Sequence, residues 1–245
     1  MTLRAVLFDL DGTLRHNRPS WPDLFLDTAQ RLGVPVPPEA RRGLKRWAHR
    51  FWAGSDELLE MLRTHGEGEP SFWQAYTQRR LEILGCSPEK AAELAPRILE
   101  ELRAVEEPPD VVPDPVPATL EALHRRGYRL AVLTNRSEPL NGYLSEIGLE
   151  GYFDLALAAG EVGLWKPNPA IFHHTVERLG IAPHEAAYVG DNLYADVLGA
   201  QAAGLHPVLL DPEGLFPEAP CPVITCLDQL PAVLEQLDRE RASAA

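Results

Sequence analysis

The sequence predicts an α/β protein, a parallel sheet covered by helices on both faces and interrupted early by an all-helical insertion. Three observations carry this. Leu3 to Phe8 is a short apolar run without helical period that stops at Asp9 and Asp11-Gly12, the pattern of a fully buried strand. Between Trp21 and Val105 the pattern becomes that of amphipathic helices: Leu44, Trp47, Ala48 and Phe51 fall at i, i+3, i+4 and i+7, and Phe72, Ala75, Tyr76 and Arg79 repeat the spacing. Beyond residue 118, short apolar strands alternate with helices that end at glycines, which implies crossover units and parallel pairing.

Taken in order, the first strand leads into the helical stretch, which closes in the proline-dense segment Glu107 to Pro117. That segment is expected to be a linker, because proline removes a backbone donor and fixes φ. A helix over Ala118–Arg126 ends at Gly127, and a strand follows over Arg129–Leu133. A helix over Pro139–Ile147 ends at Gly148, and Phe153–Ala156 reads as the next strand. Pro169–Leu179 reads as helix, Ala186–Val189 as strand, Tyr194–Ala203 as helix and His206–Leu210 as strand. Pro222–Thr225 is expected to add an edge strand and Leu230–Leu237 a last helix, with a frayed tail from Arg239 to Ala245. The α/β core is therefore expected over 1–14 and 113–245, Rossmann-like in its alternation, with a helical unit over 15–112. In such sheets ligands collect beyond the carboxyl ends of the strands, so a unit inserted there is expected to govern access as a cap.

The 245 residues are 45% hydrophobic and 24% charged, which excludes a wholly disordered or collagen-like chain. No apolar run approaches the roughly 18 residues that cross a bilayer, and the first residues carry no basic and apolar leader. A soluble, cytoplasmic protein without a membrane partner is expected. Cys86, Cys221 and Cys226 have neither the number nor the spacing of a disulfide framework or a zinc site. The net charge of -13 argues against nucleic acid as a partner. A small anion is acceptable if a metal offsets the field locally. No Walker loop and no Gly-x-Gly-x-x-Gly occurs, so nothing points to a nucleotide cofactor.

The chemistry gathers where the strands end. The first strand runs into Asp9-Leu10-Asp11-Gly12-Thr13, the second into Thr134-Asn135, and the strand over 186–189 into Gly190-Asp191-Asn192, with Asp196 one helical turn on. Lys166 precedes a helix in Lys166-Pro167-Asn168-Pro169. The chain has only three lysines (Lys45, Lys90, Lys166) among 23 basic residues, so a lysine at a strand-end crevice suggests a place that needs a compact point charge. Carboxylates converging from separate strands would repel one another unless a cation sat among them, and an oxygen-only set suits Mg²⁺.

This set resembles the haloacid dehalogenase superfamily. Asp9-x-Asp11-Gly12-Thr13 looks like its first motif, Thr134 its second, Lys166 its third, and Gly190-Asp191 with Asp196 its fourth, and the helical insertion looks like its C1-type cap. The resemblance implies the phosphatase branch: a Mg²⁺-dependent hydrolase of a small soluble phosphate monoester, since dehalogenating members usually lack an aspartate at the place of Asp11. Asp9 would be the nucleophile that forms an aspartyl-phosphate, and Asp11 the acid and base. Asp9, the backbone carbonyl of Asp11, and Asp191 would hold the metal. Thr134 and the amides of Asn135 and of the Asp11–Gly12 turn would donate to the phosphoryl oxygens. Lys166 would neutralise charge on Asp9 and the transferring group, and Asp196 would orient Lys166 or a metal-bound water. A phosphomutase on the same scaffold and a non-catalytic phosphate-binding regulatory module are the alternatives, and a dehalogenase is a more distant one.

Two further features read as structural by default. The basic residues Arg41, Arg42, Lys45, Arg46, His49 and Arg50 make a solvated face, and Trp47, Phe51, Trp52, Phe72 and Trp73 are expected to pack a core within the insertion.

Overall fold

The computed structural model describes residues 2–66, 68–140 and 142–243. Strand β1 (Ala5–Phe8) leads to a second short strand, β2 (His16–Asn17), after which come five helices: α1 (Trp21–Arg31), α2 (Pro38–Trp52), α3 (Asp56–His65), α4 (Pro70–Ile83) and α5 (Pro88–Arg103). Then follow β3 (Asp110–Val111), α6 (Pro115–Arg125), β4 (Arg129–Thr134), α7 (Tyr143–Glu146), β5 (Leu155–Ala158), α8 (Ala159–Val162) and α9 (Pro169–Arg178). The chain ends with β6 (Ala186–Gly190), α10 (Gly199–Ala202), β7 (His206–Leu210), β8 (Val223–Ile224) and α11 (Leu230–Ser243). Two compact units result, one from Met1–His16 with Val111–Ala245 and the other from Asn17–Asp110; β2 and β3 pair as a two-stranded ribbon where the chain crosses between them.

In the first unit six strands form one sheet in the order β5-β4-β1-β6-β7-β8, with every pairing parallel. Strand β1 is buried throughout because its alternate residues serve two cores. Val6 and Phe8 pack with Val116, Leu120 and Leu123 of α6 and with Leu230 and Leu234 of α11. Ala5 and Leu7 pack with Ile171, Phe172 and Val176 of α9 and with Ala200 of α10. A strand covered on both faces has no polar side, which is why it reads as an unbroken apolar run. The connections place β4 on one side of β1 and β6 on the other, so strand order reverses at β1 and a crevice opens at its carboxyl end.

The second unit is a helical bundle. Phe25, Leu26 and Ala29 of α1 pack with Leu81 of α4 and with Ala91, Leu94, Ala95 and Ile98 of α5. Ser20, Ser55 and Ser87 begin α1, α3 and α5 by accepting a hydrogen bond from an amide of the first turn. The expected aromatic core is present in part: Phe51, Phe72 and Tyr76 are buried and Trp47 stacks on Tyr76 at 5.6 Å, whereas Trp52 and Trp73 are exposed. The inward stripe of α4 runs through Phe72, Tyr76, Thr77, Arg80 and Leu81, so Arg80 rather than Arg79 lies inside. The basic face of α2 is only partly solvated: Arg41 and Lys45 reach Asp23 of α1 at 2.9 and 3.5 Å.

Several elements differ from their sequence expectation for local reasons. Helix α6 begins inside the proline-dense segment, since Pro115 and Pro117 lie in its first turn, where an amide donor is not needed. Only Tyr143–Glu146 of the helix expected over 139–147 forms, preceded by Gly142 at φ 84°, and Asn141 lies outside the described residues. Strand β5 starts two residues late, because Asp154 spends its amide on Leu130 O and its carboxylate on Leu130 N. Helix α11 continues to Ser243 where a frayed tail was expected, and residues 244–245 of that tail lie outside the described residues.

Candidate active site

Asp9 follows β1 directly, and its amide continues the ladder by donating to Val189 O at 2.9 Å. The chain then turns sharply: the amides of Thr13, Leu14 and Arg15 all reach Leu10 O, and Gly12 sits at φ 93° with its amide on Arg15 O. A β-carbon at Gly12 would lie 2.5 Å from a carboxylate oxygen of Asp191. Glycine is therefore required twice, for the left-handed backbone and for the close approach.

Lys166 is 4% exposed and its ammonium is fully committed. Nζ donates to Asp9 Oδ1 at 2.6 Å, to Asp196 Oδ1 at 2.6 Å and to the Tyr188 hydroxyl at 2.8 Å. Tyr188 passes its own proton to Leu133 O at 2.9 Å, tying this network to the end of β4. The Lys166 backbone is held from the same direction: Asn135 accepts from Lys166 N at 2.8 Å and donates to Lys166 O at 3.0 Å. The Asn135 side chain is thus used to place Lys166. Thr134 lies beside it, buried at the end of β4.

After β6 the chain forms a wide π-type turn over Leu193–Leu198, begun by Asn192, whose side chain accepts from the amides of Tyr194 and Ala195. This turn buries Asp196, which accepts from Asn192 N at 2.9 Å with its second oxygen. Such turns recur at functional sites because the extra residue redirects a side chain. Gly190 is needed here as well, since a β-carbon there would overlap the Asp196 carboxylate.

Asp9, Asp191 and Asp196 each offer a carboxylate oxygen within 4.8 Å of the others. Three carboxylates face one ammonium, so negative charge is in excess. Burial lifts Asp9 to about 7 against the pull of Lys166, and Asp196 and Asp11 add to the rise. Desolvation of its carboxylate end, then Asp9 and Asp196, push Asp191 well above the usual carboxylate range. Burial alone would lower Lys166, but Asp196, Asp9 and Tyr188 hold it well above the ordinary lysine value. Asp196 already binds Lys166 and the Asn192 amide. Asp9 and Asp191 are the two with oxygens to spare among the described residues, and that oxygen-only set, with the gap that Gly12 leaves beside Asp191, fits a hard divalent cation.

Asp9, Asn135, Lys166, Asp191 and Asp196 are therefore brought together, with Gly12 against Asp191, and Thr134 lies at the end of β4 before Asn135. The Asp11 carboxylate is bound by arginines that the sequence did not single out: Arg136 reaches both of its oxygens, at 2.8 and 2.7 Å, and Arg15 Nε lies 2.8 Å from Oδ1. Tyr188 was missed too. Its only sequence signal is a polar-tipped ring inside the aliphatic strand Ala186-Ala187-Tyr188-Val189.

A family described as haloacid dehalogenase-like hydrolase matches residues 3–204. The chain belongs to the haloacid dehalogenase-like hydrolases. A phosphoserine phosphatase from Thermus thermophilus is 34% identical to this hydrolase over 235 residues, covering 89% of this chain and 92% of the relative. A ribulose-1,5-bisphosphate 5-phosphatase from Halopiger xanaduensis is 35% identical over 218 residues, covering 85% and 84%. Among solved structures, a 2-haloacid dehalogenase from Pseudomonas syringae pv. Tomato superposes with a TM-score of 0.54 at 28% identity, covering 96% of this chain and all of that one. No helix among the described residues is long and apolar enough to cross a membrane.

Proposed function

We propose that this hydrolase is a Mg²⁺-dependent phosphatase that cleaves a small soluble phosphate monoester through an aspartyl-phosphate on Asp9. The observation that carries this reading is the state of Asp9: a buried carboxylate with one oxygen tied to Lys166 and the other unbonded among the described residues, within 4.8 Å of an Asp191 oxygen. One Asp9 oxygen attacks phosphorus while the other is left for the metal, and Lys166 offsets the charge that accumulates on Asp9 and the transferring group. Thr134 and the backbone amides of Asn135 and the Asp11–Gly12 turn donate to the phosphoryl oxygens. Asp11 protonates the departing alkoxide and later takes a proton from the attacking water. Asp196 acts through Lys166, whose position it sets.

Asp9, Asp191 and the Asp11 carbonyl would hold Mg²⁺, which when bound offers Lewis-acid charge to the phosphoryl oxygens and relieves the repulsion between the two carboxylates. The helical insertion is read as governing substrate access, as a cap, because the chain enters it shortly after β1. The names of the two relatives support the phosphatase class, and their different substrates leave the ester itself open. The overall charge argues against a nucleic-acid partner, and three free cysteines accord with a cytoplasmic place.

The solved dehalogenase favours a second reading in which Asp9 displaces halide. Asp11 weighs against it, since carbon–halogen cleavage releases a leaving group that needs no proton. Phosphate and halide release from a panel of phosphate esters and 2-haloacids separates the two readings. Stoichiometric inorganic phosphate supports the phosphatase. Halide release without phosphate overturns it, and isomerised sugar phosphate without free phosphate would indicate a mutase.

A further inference from the structure

We propose that Arg80 forms a carboxylate-binding site inside the helical unit, taking one planar, singly charged carboxylate on the edge of its guanidinium. The inference goes beyond the phosphatase reading and does not rest on it. Arg80 is 9% exposed, on the inward stripe of α4. Its guanidinium lies 3.4 Å from the centre of the Phe25 ring of α1 and 5.3 Å from that of Tyr76, one turn earlier on α4. Phe25 therefore covers the flat face of the cation. The rings offer no acceptor to its edge, where the N–H groups of an arginine point. Among the described residues none of those groups is bonded to the chain, and no carboxylate stands in ion-pair reach.

The neighbouring residue shows that acid is at hand in this unit. Arg79, more exposed, pairs with Glu57 at 2.6 Å and with Glu82 at 3.2 Å. Of two consecutive arginines, the outer one has two carboxylates and the buried one has none. A buried cation without a partner costs free energy, so the fold holds open a fork that an outside anion would complete. No Arg80 nitrogen is sealed from solvent, which leaves the edge a way in. Water can enter too, but it does not offset the charge. Tyr76 offers a second donor: its hydroxyl accepts from Trp52 Nε1 at 3.0 Å, and its own proton has no acceptor among the described residues.

Charge decides the class of ligand. Burial lowers Arg80 to about 10, and Tyr76 is the other ionisable group that acts on it. With no second cation to share a dianion, phosphate or sulfate would carry an uncompensated charge into a nearly closed place. A carboxylate matches both the single charge and the two-pronged edge. It can come from a free small acid or from the remainder of an ester, and the experiment separates these sources.

The test is the urea midpoint of the full chain in increasing sodium acetate, with sodium chloride and sodium sulfate at equal ionic strength, for the wild type, Arg80→Met, Arg80→Lys and Tyr76→Phe. The gain is read as the difference between wild type and Arg80→Met, which cancels bulk salt effects. That difference should grow with acetate and saturate as for a one-site ligand. Arg80→Lys, which keeps the charge without the fork, should need about tenfold more acetate, and Tyr76→Phe about three- to tenfold more. The source is assigned by KM for para-carboxyphenyl phosphate and phenyl phosphate. A rise of about tenfold in Arg80→Met confined to the carboxylated ester places the carboxylate on the substrate. Equal KM values beside an acetate difference assign it to a free acid. No acetate difference together with unchanged KM values overturns the proposal, as does a larger difference with sulfate or full binding in Arg80→Lys. The acetate arm needs no turnover, so it stands if the phosphatase reading fails.

Discussion

Among the described residues each unit of this hydrolase buries one Lys or Arg side chain, and the two are treated in opposite ways. Lys166 lies between Asp9, Asp196 and Tyr188, and although burial opposes its charge, the carboxylates carry it well above the ordinary lysine value. Arg80, inside the helical bundle, lies 3.4 Å from the Phe25 ring centre and 5.3 Å from that of Tyr76, with no carboxylate in ion-pair reach among the described residues. Burial there lowers its guanidinium to about 10, opposed only weakly by Tyr76. The difference teaches where acidic residues are spent. Two carboxylates from distant segments, Asp9 after β1 and Asp196 after β6, neutralise the lysine that touches the nucleophile, whereas the bundle leaves its arginine to ring faces and to its own aliphatic stem.

The comparison breaks most severely at the nucleophile. Asp9→Asn should lower turnover by at least about 10⁴-fold, on the scale seen when a covalent nucleophile is removed, with an unfolding midpoint close to that of the wild type. Wild-type turnover in that variant would end the mechanism. Lys166→Met leaves Asp9 and Asp196 buried without their cation, and urea unfolding should show a loss of about 3–5 kcal/mol. A change below roughly 1 kcal/mol would mean that the network adds little to the fold.

Chelation tests the excess of acid around Asp9 and Asp191. Hydrolysis should stop on removal of divalent ions and return with Mg²⁺. Independently of activity, Mg²⁺ at about 100 times its dissociation constant should stabilise the protein by roughly 2.7 kcal/mol, and Asp191→Asn should abolish that shift. Equal stabilisation of both proteins would place the ion elsewhere.

At Arg80 the sign reverses. Its folded value lies below the ordinary guanidinium value, so the charged form is penalised at every pH below about 10 and relieved as pH rises from there. Arg80→Met should therefore raise stability by about 1 kcal/mol, flat through the neutral range, once the lost stacking is set against the recovered desolvation. A loss of similar size would show that the rings compensate the charge fully. The smallest effect belongs to the half-buried pair of α1 and α2: Arg41→Ala, which leaves Asp23 with Lys45 and Ser20, should change stability by less than about 0.5 kcal/mol.

What the sequence revealed follows the same division. The strand ends carrying Asp9, Thr134 and Asp191 are legible because apolar runs stop there at polar residues, and the insertion because its period changes from strand to helix. Arg136 and Tyr188 are not, since each acquires its partner only through tertiary packing, and Arg15, although only four residues from Asp11, is one of many arginines in this chain. The early start of α6 shows the limit of reading proline as a stop, because the first turn of a helix accepts it. The π-type turn that buries Asp196 has no signal in periodicity, for it departs from the helical repeat by one residue.

Trapping the covalent state tests the central claim most directly. With Mg²⁺ and a hydrolysable ester, acid-quenched enzyme digested and analysed by mass spectrometry should carry a hydroxylamine-labile phosphoryl group on the peptide containing Asp9, and none in Asp9→Asn. A phosphoryl group on any other residue, or rapid turnover with no such adduct under single-turnover sampling, would contradict it.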